Sequence, residues 1–202
     1  YEEFFVGKSE LPAFCKELLP VLERHYLVQR QQFEERRFLP PKPDYELFLD
    51  APDIRTITCE MFARYGDKKY NVCDKPKTLD NRDELDELQA RQKVLRWFSH
   101  TDPQKKQMLI AGDEEKMYQL LTEGVEAMSQ IGVLYISDGL AGIRIKESPM
   151  ISVGVSLKEE LLELTLDSPE MPLSELMEVL SAYRRKRRFF RLKSGDFLSM
   201  EE

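Results

Sequence analysis

From Ile57 to Ala63 the chain reads ITCEMFA. Ile57, Cys59, Met61 and Ala63 fall on one parity, and Thr58, Glu60 and Phe62 on the other. Successive side chains of a β-strand point to opposite faces, so this spacing predicts a strand with one apolar side. The frame IRTITCEMFARYGDKKYNV runs on through Gly66-Asp67, residues suited to a tight turn, into a second β-rich stretch, and so predicts a hairpin. A short strand over Tyr45–Asp50 is expected before it, after the proline-rich start of FLPPKPDYELFLDAP.

The hairpin is flanked by helical patterns. Ser9 to Arg24 has Leu11, Phe14, Cys15, Leu18, Leu19 and Leu22 at helical spacing, with Ser9 as cap, Pro12 in the first turn and Pro20 as a kink or stop. RDELDELQARQKVLRWF is expected to bury a stripe of Leu85, Leu88, Leu95 and Phe98. DEEKMYQLLTEGVEAMSQ is a second helix, ending near Gly132 as a C-cap, and VLYIS a short buried strand. SPMISVGVSL and ELLELTLD predict two strands paired through Lys158-Glu159; SELMEVLSAYRRK is the last helix, and RFFRLKSGDFLSM a hairpin turning at Gly195. The fold class is therefore α+β, with helices and mainly antiparallel short sheets in two packed lobes. Residues 1–24 form a helical lead-in, 25–102 a first lobe and 103–202 a second, with the boundary near Pro103.

A chain of 202 residues, 42% hydrophobic, is long enough to bury a core, and its apolar residues are too evenly spread for disorder. No apolar run spans a bilayer, and YEEFFVGKSEL lacks the layout of a signal peptide, so a cytoplasmic protein without membrane contact is expected. The sequence starts at Tyr1 without an initiator Met and reads as a segment of a longer protein. Cys15, Cys59 and Cys73 form no C-x-x-C pair, which argues for free thiols and against zinc or a disulfide framework.

Candidate catalytic patterns fail one by one. Gly7-Lys8-Ser9 ends like a phosphate-binding loop, but the pattern needs glycine where Glu2 stands, and a carboxylate there repels phosphate. QMLIAGDEEK resembles the acidic strand end that holds magnesium in ATPases, yet Asp113 reads better as a helix cap. His25 and His100 have no metal-binding spacing and no nucleophile to serve. Gly139 to Gly142, GLAG, reads as a plain loop. No catalytic residue, metal ligand or cofactor is expected in this segment.

One charged stretch stands out. Seven of the ten residues from Arg184 to Lys193 are basic, in a chain of net charge −7. Leu176, Val179, Leu180 and Tyr183 recur at i, i+3, i+4, i+7 and predict a buried helix face, which puts Arg184, Arg185 and Lys186 in the last turn, where cations offset the helix dipole. Strand alternation then sets Arg188, Phe190 and Leu192 on one face and Arg187, Phe189, Arg191 and Lys193 on the other. That second face suits phosphates, with Phe189 on a sugar or base. It equally suits pairing within the protein, since residues 1–183 hold 34 acidic against 23 basic residues. A protein interface is the third use. Candidate nucleic-acid contacts are Arg184, Arg185, Arg187, Phe189, Arg191 and Lys193.

ISVGVSL, ELLELTLD, SAYRRKRRFFRLK and SGDFLSMEE, in that order, resemble the accessory region upstream of the ATPase core in bacterial SWI/SNF-type (Snf-family) helicases. YELFLDAP, CEMFARYGD, NRDELDE and LLTEGVEAMSQIGVLYISDGL fit the same resemblance, which covers roughly residues 40–202. The resemblance implies a non-catalytic module of a DNA-stimulated, ATP-dependent translocase whose ATP and magnesium site lies in downstream lobes. It implies those lobes as partner, duplex DNA as a second one, and a nucleoid-associated place in the cytoplasm. An interaction or autoinhibitory role without DNA contact is the alternative.

Overall fold

The alternation of Ile57, Cys59, Met61 and Ala63 becomes the middle of a six-stranded sheet. A computed structural model describes residues 3–35, 38–74, 82–147, 149–158 and 161–200. Strands β1 (Asp44–Asp53) and β2 (Thr56–Tyr65) form a long antiparallel pair, and β3 (Lys68–Asn71) folds back on β2 through Gly66 at φ +61°. Strands β4 (His100–Asp102) and β5 (Gln107–Ala111) extend the other side of β2, while β6 (Val133–Ile136) lies parallel to β1. The order is β4-β5-β2-β1-β6, with β3 off that path. β1 is longer than expected, because Ala51 to Asp53 stay in the strand up to a two-residue turn.

All four alternating residues of β2 are buried. In register beside them stand Tyr45, Leu47 and Leu49 of β1 and Met108 and Ile110 of β5, with Ala51 buried at a register shift in β1, so one sheet face is apolar. At about 25 cal/mol per Å2 of apolar surface removed from water, this face is the main source of stability. Helices cover it. In the N-terminal helical run, α1 (Leu11–Ala13) and α2 (Leu19–His25) are joined by a π turn over Phe14–Leu18. Glu10 rather than Ser9 holds the cap position, and Pro20 widens the helix without stopping it.

Helix α3 (Glu84–Leu95) starts at Asp83, whose carboxylate accepts from the Asp86 N–H. Its buried stripe is Glu87, Ala90 and Val94; of the expected stripe, Phe98 is buried in the core and Leu95 packs against it, but Leu88 faces solvent. Glu87 is tolerated inside because Arg82 and the Tyr65 hydroxyl both donate to it. Helix α4 (Glu114–Gln119), capped by Asp113, passes through a π turn (Leu120–Gly124) into α5 (Val125–Ser129). A Cβ at Gly124 would sit 2.8 Å from the Leu120 side chain and 3.0 Å from the Trp97 ring, so any larger residue there would have to displace both. Gly132 is not a C-cap. Its Cβ would lie 2.3 Å from the Tyr45 carbonyl oxygen, and glycine is what lets β6 approach β1. β6 is an edge strand with Val133, Tyr135 and Ile136 exposed, not a buried one.

GLAG is a helical turn, α6 (Asp138–Ala141), capped by the Ser137 hydroxyl. Strand β7 (Ile145–Lys146) follows. β8 (Ser152–Lys158) and β9 (Leu161–Asp167) make a separate two-stranded ribbon, and residues 159–160 of its expected turn lie outside the described residues. Helix α7 (Leu173–Arg184) leads to β10 (Phe189–Arg191) and β11 (Phe197–Ser199), a hairpin that turns at Gly195 with φ +95° and also pairs with β7. Met117, Tyr118, Leu120, Met128 and Phe197 share one core with Leu47 and Met61. One core thus draws on both sides of Pro103, which lies in the β4–β5 turn. The fold class is α+β with mostly antiparallel sheets.

Candidate functional site

Helix α7 carries the basic run. Its buried side is Glu175, Leu176, Val179 and Ala182; Tyr183, expected on that side, is exposed. Glu175 is inside because its carboxylate accepts the Lys193 backbone N–H at 2.9 Å, tying the helix start to the terminal hairpin. The helix ends in a Schellman pattern. The Lys186 N–H donates to the Tyr183 carbonyl at 2.9 Å, and the Arg187 N–H to the Ala182 carbonyl at 3.3 Å. Lys186 takes φ +54°, a left-handed conformation usually left to glycine.

This chain reversal turns Arg184, Arg185, Lys186 and Arg187 outward, all exposed. The Arg185 guanidinium donates to the Ser181 hydroxyl at 2.9 Å, and among the described residues no carboxylate stands within ion-pair range of these four cations. Arg188 lies 3.8 Å from Glu115. Beside them a shallow groove of about 340 Å3 is lined by Met177, Glu178, Ser181, Ala182, Arg187 and Phe190. Met177 and Phe190 carried no functional signal in the sequence; only the i, i+4 spacing of Leu173 and Met177 hinted at a second apolar edge on α7.

The strand alternation holds, but its faces have the reverse meaning. Phe189 stacks on Tyr118 with ring centroids 4.5 Å apart and meets Phe197 edge-on at 5.4 Å. Arg191, on the same side of β10, lays its guanidinium 4.1 Å over the Phe197 ring and donates to the Ile54 carbonyl. Burial lowers the Arg191 pKa from its ordinary value. Both residues are therefore engaged inside the protein, not placed on an open basic face, because Tyr118 and Phe197 offer that side an aromatic bed. Lys193 is exposed at the turn. Of the six candidates, Arg185 and Arg187 line one groove, and Arg184 is exposed in the last turn of α7 just before them.

No other constellation competes. Among the described residues, no group of histidine, cysteine or acidic side chains is arranged to hold a metal ion, and no helix is long and apolar enough to cross a membrane. Cys59 is buried, which pushes its thiol up to about 12, and burial also raises Cys15 and Cys73. The Gly7 N–H donates to the Glu10 carboxylate, so an acid occupies the place a phosphate would need.

Residues 1–202, the whole chain, match the family model described as bacterial SNF2 helicase associated. The chain belongs to that family. Neither the curated proteins nor the solved structures contain a match. As an SNF2 helicase-associated region, the chain is an accessory domain, which agrees with its core being built round structural contacts.

Proposed function

We propose that this SNF2 helicase-associated domain is a non-catalytic module of a bacterial DNA-dependent ATPase, and that it bears on duplex DNA through Arg184, Arg185 and Arg187 while positioning the motor. ATP and magnesium then belong to the motor lobes of the parent protein, in the cytoplasm and on the nucleoid. The observation that carries this reading is the exposed cluster of cations at the end of α7, with no carboxylate among the described residues in ion-pair range. Cations gathered at one reversal of the chain suit contact with backbone phosphates, and each phosphate neutralised releases counterions, which makes binding salt-dependent.

The test is fluorescence anisotropy of labelled duplex DNA at several salt concentrations. Charge reversal at Arg184, Arg185 and Arg187 should weaken binding and lower the slope of log affinity against log salt by about 3, near 0.9 per contact. Arg191→Ala should leave that slope unchanged, because its guanidinium is spent on Ile54 and Phe197. An unchanged slope in the triple variant would remove DNA contact from the reading. A module that acts by protein contact alone would then be the better description, and the apolar ribbon of β8 and β9 favours it.

A further inference from the structure

The ribbon of β8 and β9 is sorted by side with little exception. Register pairs Val153 with Leu166, Val155 with Leu164 and Leu157 with Leu162, so these six aliphatic side chains share one face. The other face carries Ser152, Gly154, Ser156, Glu163, Thr165 and Asp167, with Leu161 as an aliphatic exception near the turn. The aliphatic face is uncovered: Val153, Val155, Leu157, Leu162 and Leu164 are each 60–73% exposed. Among the described residues neither strand pairs with any other strand, and none of these residues belongs to the core. A two-stranded hairpin is marginal in water by itself, and at roughly 100 Å2 for each of the five exposed side chains this face leaves about 500 Å2 of apolar surface in solvent. Patches of that size mark interaction sites.

Charge selects the occupant. No charged residue interrupts the aliphatic face, so a polyphosphate has nothing there to bind. Residues 147–170, which contain the ribbon, hold six acidic residues and one basic. A second copy would bring a segment of the same net negative charge against it, and like charges oppose association. A motor that tracks DNA needs basic surface, the complement of that charge.

We infer that the Val153–Val155–Leu157 and Leu162–Leu164–Leu166 face is the surface by which this domain docks on the SNF2 motor. The inference rests on the accessory-module reading and gives it a place. The module has two ends: an acidic aliphatic ribbon for protein, and the basic end of α7 for phosphate.

The 202-residue chain is immobilised and titrated with the motor polypeptide of a bacterial SNF2 helicase. Val155→Asp with Leu164→Asp should weaken the complex at least about tenfold. Ser156→Ala with Thr165→Ala, on the opposite face of the same ribbon, should change it less than about twofold. The unfolding midpoint of either variant should match the parent chain, since the ribbon lies outside the core. Equal motor binding by the aspartate pair would overturn the inference and leave the accessory role standing. No binding by the unaltered chain would overturn the docking altogether, while the DNA titration judges the basic end independently. A concentration-dependent dimer in sedimentation, abolished by the aspartate pair, would assign the face to a second copy and equally overturn the inference.

Discussion

Lys186 is where charge and conformation can be separated. Its φ of +54° closes the α7 reversal, and a side chain in the left-handed region costs about 1 kcal/mol relative to glycine. Lys186→Gly should therefore stabilise the domain by about 1 kcal/mol in thermal or denaturant unfolding, despite removing a cation from the helix end. Destabilisation would mean that the lysine's charge outweighs its strain. The sequence showed the cluster of cations but not this reversal, because lysine gives no turn signal where glycine would. It left Phe189 and Arg191 open between phosphate contact and pairing within the protein for a related reason. Alternation tells which side chains share a face, but which face is covered depends on Tyr118 and Phe197, far away in the chain.

Element by element, legibility followed how local the deciding contact was. β2 read correctly because its alternation decides both its faces, and the Gly66 and Gly195 turns because glycine is the only cheap residue at their positive φ. The stripe of α3 did not, since Leu85 and Leu88 advertise an apolar face while the core takes Glu87, Ala90 and Val94. A glutamate enters the core only when partners satisfy it, and Arg82 and Tyr65 come from outside the helix. The two stripes predict opposite mutational costs. Val94→Ala should destabilise by about 2 kcal/mol, whereas Leu88→Gln, on the exposed side, should stay within about 0.5 kcal/mol. Chemical denaturation of both variants checks the assignment, and a larger cost at Leu88 would restore the leucine stripe.

At the scale of the whole molecule, two carboxylates join distant pieces, and both make the fold sensitive to acid. Glu46 of β1 is held by Lys69 Nζ at 2.7 Å, with Arg64 at 3.5 Å. The Lys69 hydrogen bond keeps its carboxyl below the ordinary value of 4.5. Asp196 sits in the terminal hairpin. Burial pushes its pKa up, but hydrogen bonds from Lys146 at 2.9 Å, the Arg144 N–H at 3.0 Å and Ser194 at 3.1 Å prevail and hold it below 3.8. A carboxyl whose folded pKa is depressed stabilises the fold fully above its unfolded value, and that contribution is lost as pH falls through the folded one. Unfolding midpoints measured from pH 7 down to pH 3 should thus fall most steeply below the ordinary values of 4.5 and 3.8. Glu46→Gln with Asp196→Asn should lower the midpoint at pH 7 and flatten the acid limb, because the proton uptake that drives it is gone. Parallel curves for the two proteins would show that acid acts elsewhere.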